Sequence, residues 1–143
     1  MDERPPDAKT WGAGAAPEER ILVVDDDPVS CRLMADVLER AGHRVEWTTA
    51  ASVALERMNT GRFALVVSDV NMPHMLGTDL CAELRRRDPS LPLLLVSAFA
   101  DRRAEAEARA LGARLLAKPV RSEALVDTVQ ALLETRSNEE VVP

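Results

Sequence analysis

Between residues 20 and 136 the apolar positions of this chain switch repeatedly between two periods. "RILVVD" (20–25), "ALVVSD" (64–69) and "PLLLVSA" (92–98) are short, nearly unbroken apolar runs, the pattern of strands covered on both faces. "RVEWTT" (44–49) alternates, as a strand with one wetter face does, and "RLLAK" (114–118) is a fifth, shorter strand. Between these runs the period becomes helical. From Pro28, Val29, Leu33, Met34, Val37, Leu38 and Ala41 form one stripe, closed by Gly42. Leu125, Val126, Val129, Leu132 and Leu133 form another over 121–135. Helices are also predicted over 50–59, up to Gly61, over 78–87, and over the alanine-rich stretch 101–112, closed by Gly112. Five strands alternating with five helices through short loops predict an α/β sandwich around a parallel sheet. Ligands of such sheets bind beyond the C-terminal ends of the strands, where the strand order reverses.

The two ends differ from this pattern. Residues 1–18 are rich in Pro, Ala, Gly and charge, with Trp11 as the lone large apolar residue, and 137–143 is similar. Such composition buries too little to offset ordering entropy, so both are expected to be flexible tails around one domain, 19–136. The 143 residues suffice for one core and not for two. A net charge of -6 argues against a nucleic-acid-binding surface. No apolar run approaches the roughly 18 residues of a membrane span, and the N-terminus lacks the apolar centre of a secretory signal. A cytoplasmic protein with no membrane or direct nucleic-acid partner is expected. Cys31 and Cys81, the only cysteines, form no CxxC pair, which disfavours a disulfide framework or zinc site. Both are expected to pack inertly on helices.

The strand ends carry the chemistry. Asp25, Asp26 and Asp27 follow the first strand, Asp69 ends the third, Ser97 the fourth and Lys118 the fifth. Asp27 precedes Pro28 and is most simply a helix N-cap. That leaves Asp25, Asp26 and Asp69 converging on one crevice, where like charges about 4 Å apart repel by roughly 4 kcal/mol at an effective dielectric of 20. To ionise together they need positive charge. Lys118 supplies one, and a hard divalent cation fits the remainder, since Mg²⁺ favours a few carboxylates, water and phosphate oxygens. With Ser97 as a hydroxyl donor, this set suits phosphoryl transfer to a carboxylate nucleophile.

At these residues the chain resembles the receiver domain of two-component response regulators. The matching pieces are "ILVVDDDP", "LVVSDVNMP", "LLLVSA" and "GARLLAKP", in order across about residues 20–136. The resemblance implies a flavodoxin-like, three-layer α/β sandwich, its five-stranded parallel sheet ordered 2-1-3-4-5 with five flanking helices. It implies that Asp69 accepts a phosphoryl group from a sensor histidine kinase or phosphotransfer protein. Asp25, Asp26, Asp69 and the Asn71 carbonyl would hold Mg²⁺, Asp25 largely through water. Ser97 would hydrogen-bond the phosphoryl group and Lys118 would pair with it. It further implies a cis Lys118–Pro119 peptide, a regulatory domain rather than a turnover enzyme, and a downstream protein partner on the 101–136 face.

Two positions depart from the family pattern. Leu115 stands where an aromatic residue usually reports phosphorylation to the output face, and Phe99 places a ring near the path of a hydrolysing water. With only about eight residues after the predicted last helix, no output domain is expected within this chain. A rival reading is a haloacid-dehalogenase-type phosphatase, with Asp25 and Asp27 as its DxD motif; another is an interaction module that binds without phosphorylation. His43, His74 and the arginines 85–87 are expected to be solvated, and Met72 and Met75 to pack in a loop.

Overall fold

The computed structural model describes residues 20 to 141, apart from 62 and 74. The expected N-terminal tail with Trp11, and His74, lie outside the described residues. The order is β1 (Arg20–Val24), α1 (Pro28–Arg40), β2 (Arg44–Thr48), α2 (Ala51–Thr60), β3 (Leu65–Asp69), α3 (Gly77–Arg87), β4 (Leu93–Ser97), α4 (Arg102–Ala110), β5 (Arg114–Ala117) and α5 (Ser122–Val141). All strands are parallel and ordered β2-β1-β3-β4-β5, as expected.

Alternation along each strand builds two apolar layers. Ile21, Val23, Val45, Trp47, Leu65, Val67, Leu94 and Val96 pack under α1 and α5, while Leu22, Val24, Val66, Leu93 and Leu95 pack under α2, α3 and α4. The side chains of β1, β3 and β4 are buried throughout. Burying each large aliphatic side chain contributes about 1.5–3 kcal/mol, so these three strands form the rigid floor on which the polar edge is mounted. β1 pairs with both β2 and β3, so the strand order reverses between β1 and β3.

Four expectations are corrected. β2 has no wet inner position: Glu46 is 1% exposed, held by Arg20 at 2.8 Å and Arg57 at 3.2 Å. The "RRR" run is not simply a solvated helix end. Arg86 is exposed, but Arg85 donates to the carbonyls of Pro89, Leu91, Leu111 and Gly112, clamping the turns before β4 and β5, and Arg87 bonds the Leu55 carbonyl and Asn59. The last helix runs through Val141 instead of ending near Thr135, because no glycine or proline interrupts it before Pro143. Arg136, at the expected end, is buried and bonded to the Phe63 carbonyl and to Asp88. His43, expected to be solvated, is instead half-buried just before β2, and burial lowers its pKa. Met72 is buried and Met75 half-buried, as loop packing. Both cysteines are buried and unpaired in disulfides, and burial pushes each thiol up to about 12. Among the described residues no helix is long and apolar enough to cross a membrane.

Candidate functional site

Strand register assembles the site. Val24 stands opposite Ser68, so the next residues, Asp25 and Asp69, meet at the edge where β1 and β3 end. Asp69 stands opposite Val96 and Ser97 opposite Ala117, which brings Ser97 and then Lys118 to the same edge. The Lys118 N–H donates to the Ser97 carbonyl at 2.8 Å, and the Lys118–Pro119 peptide is cis, as expected.

Asp25, Asp26 and Asp69 converge: one carboxylate oxygen from each lies within 4.8 Å of the others. Asp25 is 1% and Asp69 5% exposed, whereas Asp26 faces solvent. Asp25 is the most firmly held. Its Oδ2 accepts from Lys118 Nζ at 2.9 Å, its Oδ1 accepts from the Asp27 N–H at 2.9 Å, and its carbonyl accepts from Cys31 Sγ at 3.2 Å. The same Lys118 Nζ stands 3.4 Å from Asp69 Oδ1. The lysine therefore bridges two carboxylates and sits closer to Asp25.

One ammonium cannot neutralise three carboxylates. Burial and the charge of Asp25 raise the Asp69 pKa from 3.8 to about 6, against the pull of Lys118. A carboxyl–carboxyl hydrogen bond with Asp26 raises it further, and the Asn71 N–H, bonded to the carboxylate, lowers it. Burial alone would lower the Lys118 pKa, but its hydrogen bond to Asp25 and the charges of Asp25 and Asp69 outweigh this and raise it. The cluster is short of positive charge on its solvent side, where Asp26 stands. A hard divalent cation bound by oxygen donors matches that deficit.

Asp27 is the expected N-cap: its Oδ1 accepts from the Val29 N–H at 3.1 Å, and its Oδ2 from the Ser30 hydroxyl at 3.1 Å. The Ser97 hydroxyl accepts from the Phe99 N–H at 3.0 Å, leaving its own proton to donate. Phe99 itself is 73% exposed. Asn71, two residues past Asp69, is exposed in the loop to α3. Leu115 is half-buried against the layer beneath α2, α3 and α4. Sequence reasoning missed Gly77, whose first-turn position in α3 lies against the Asp69–Val70 peptide. The only signal was a glycine opening a helical stretch.

Comparison with known proteins agrees with this geometry. Residues 21–130 match the family described as response regulator receiver domain. The response regulator protein FleR of Pseudomonas aeruginosa is 39% identical over 112 residues, covering 77% of this chain but only 24% of FleR. The response regulator receiver protein CpdR of Brucella abortus is 30% identical, covering 80% of this chain and 97% of CpdR. Among solved structures, a CheY-like response regulator receiver domain protein from Methanospirillum hungatei superposes with a TM-score of 0.80 at 27% identity, covering 85% of this chain and 98% of that one. An apolar parallel sheet with its acidic edge at the β1–β3 switch point, matched over 21–130, places this chain in the response regulator receiver domain family.

Proposed function

We propose that this receiver domain takes a phosphoryl group from a histidine kinase or phosphotransfer protein onto Asp69, with Mg²⁺, and signals through a protein partner. The observation that carries the reading is the buried Asp69 carboxylate, set beside Asp25 and Asp26 and within 3.4 Å of Lys118 Nζ. Asp25, Asp26, Asp69 and the Asn71 carbonyl are the oxygen donors for the metal. Bound there, Mg²⁺ would neutralise carboxylate charge and shield the incoming phosphoryl oxygens.

The chain's own residues do the rest. An Asp69 carboxylate oxygen attacks phosphorus, the P–N bond to the donor imidazole breaks, and its electron pair leaves with the imidazole. Lys118 turns from the Asp69 carboxylate to the new phosphoryl group while keeping its bond to Asp25. The Ser97 hydroxyl donates a hydrogen bond to a phosphoryl oxygen. Asp25, fixed on both oxygens, needs no rearrangement during transfer. The 101–136 face, formed by α4, β5 and α5, is the surface for the downstream partner. The phosphatase reading is disfavoured because the Asp27 carboxylate is committed to capping α1.

With acetyl phosphate and Mg²⁺, one phosphoryl group should add to the chain, seen as a single mass shift. Asp69→Asn should abolish it, and Asp26→Ala should slow it and weaken Mg²⁺ binding. A label that survives Asp69→Asn and maps to another residue would overturn the assignment; turnover of a generic phosphate ester would favour the phosphatase.

A further inference from the structure

We infer that Gly77 is a positioning residue for the phosphoacceptor, holding the Asp69–Val70 peptide at a distance from α3 that only a hydrogen side chain permits. The inference rests on the phosphoacceptor reading of Asp69 and extends it to a residue outside the cluster.

The backbone at Asp69 and Val70 is held on three sides. The Val70 N–H donates to the Val96 carbonyl at 2.9 Å, tying the Asp69–Val70 peptide to β4. The Val70 carbonyl accepts from the Gly77 N–H at 2.7 Å, closing the loop that carries Asn71. On the third side the first turn of α3 presses on the peptide itself. A Cβ at Gly77 would overlap the Asp69 carbonyl oxygen, with the Asp69 carbonyl carbon 2.8 Å and the Val70 Cα 2.9 Å away. All three are backbone atoms, so no rotamer change relieves the overlap.

What yields decides the consequence. α3 is held by Leu80, Cys81 and Leu84, all 0% exposed, and at its far end by the Arg85 clamp. The loop from Val70 to Leu76 is the softer side, with Asn71, Pro73 and Leu76 exposed. A side chain at 77 therefore displaces the Asp69–Val70 peptide. Asp69 and Asn71 then move, while Asp25, Asp26 and Lys118, carried on other elements, stay. Misplacement of a reacting group by about 1 Å costs on the order of 100-fold in rate.

The test compares Gly77→Ala with Gly42→Ala. Gly42 has a φ of 99° with nothing within 4 Å of an added Cβ, so alanine there adds backbone strain with no contact to the site. Both variants are checked for folding by circular dichroism. Mg²⁺ affinity is then measured by calorimetric titration, and the acetyl-phosphate labelling rate by mass spectrometry. Gly77→Ala should weaken Mg²⁺ binding by about 5-fold or more and slow labelling by roughly 10- to 100-fold. Gly42→Ala should lower the melting temperature and leave both readouts at their wild-type values. A folded Gly77→Ala chain with wild-type affinity and rate overturns the inference, as does an equal loss in Gly42→Ala. Should Gly77→Ala fail to fold, Mg²⁺ affinity in Asp69→Asn is compared with that in Asp69→Asn/Gly77→Ala. Equal affinities, or a double variant that also fails to fold, make the glycine structural and overturn the inference. A wild type that takes no label instead refutes the phosphoacceptor reading itself.

Discussion

Replacing Asp69 by asparagine should make the metal-free protein more stable, although it removes the residue on which function depends. Asp69 is 5% exposed, and burial together with Asp25 raises its pKa from 3.8 to about 6. A raised carboxylate pKa means that folding favours the protonated form. Relative to an unshifted carboxyl, the contribution of Asp69 is neutral below pH 3.8, becomes progressively destabilising between 3.8 and about 6, and is a constant penalty above that. A shift of about two units corresponds to about 3 kcal/mol at 1.36 kcal/mol per unit, an upper figure because the carboxylates share charge and protons. The substituted amide keeps an oxygen for Lys118 and carries no charge, so a gain of about 1–3 kcal/mol at pH 7.5 is expected, or roughly 3–10 °C in melting temperature. Urea unfolding of both proteins in EDTA from pH 4 to 8 measures it. The advantage should be full above pH 6 and shrink toward pH 4. Millimolar Mg²⁺ should narrow it by stabilising the wild type more. Equal stability at pH 7.5 in EDTA, or a pH-independent advantage, would refute the electrostatic account of this crevice.

Further consequences follow from other groups. Lys118→Met leaves the Asp25 carboxylate, 1% exposed, with only the Asp27 N–H, and should cost about 1–3 kcal/mol, discounted because the lysine is partly exposed; calorimetry without Mg²⁺ reads it. Burial would raise the Asp88 pKa, but Arg136 and Ser90 more than reverse this and hold it below its usual 3.8. A depressed carboxylate stabilises above its unfolded pKa, so Asp88→Asn should cost about 2–4 kcal/mol at neutral pH, fading below about pH 4 in an acid titration of stability. Arg85→Met removes four bonds to backbone carbonyls and should cost about 1–3 kcal/mol. Its amide exchange should quicken at residues 111–113 first. Within α4 only Ala108 is buried, so beryllofluoride should change amide protection within 99–118, and changes confined to the loops around Asp69 would exclude that route.

The order of elements was legible because each is a local matter. Apolar runs buried on both faces, helical stripes closed by Gly42 and Gly112, and the Asp27–Pro28 cap need only neighbouring residues. Parallel strands also force every strand end that bears Asp25, Asp69, Ser97 or Lys118 onto one edge, so the candidate cluster could be named before any distance was known. Tertiary structure decided which of those groups touch. Lys118 bonds Asp25 across 93 residues of sequence, and that choice follows from the register of four strands, to which no single strand's pattern refers. The same holds for Glu46, polar in an alternating strand yet buried because Arg20 and Arg57 arrive from elsewhere, and for Arg85, whose acceptors lie in distant turns. Gly77 is the clearest instance. Nothing around it in sequence calls for glycine, and the requirement arises only when the start of α3 is pressed against the carbonyl of Asp69, because close approach between two backbones is a property of packing.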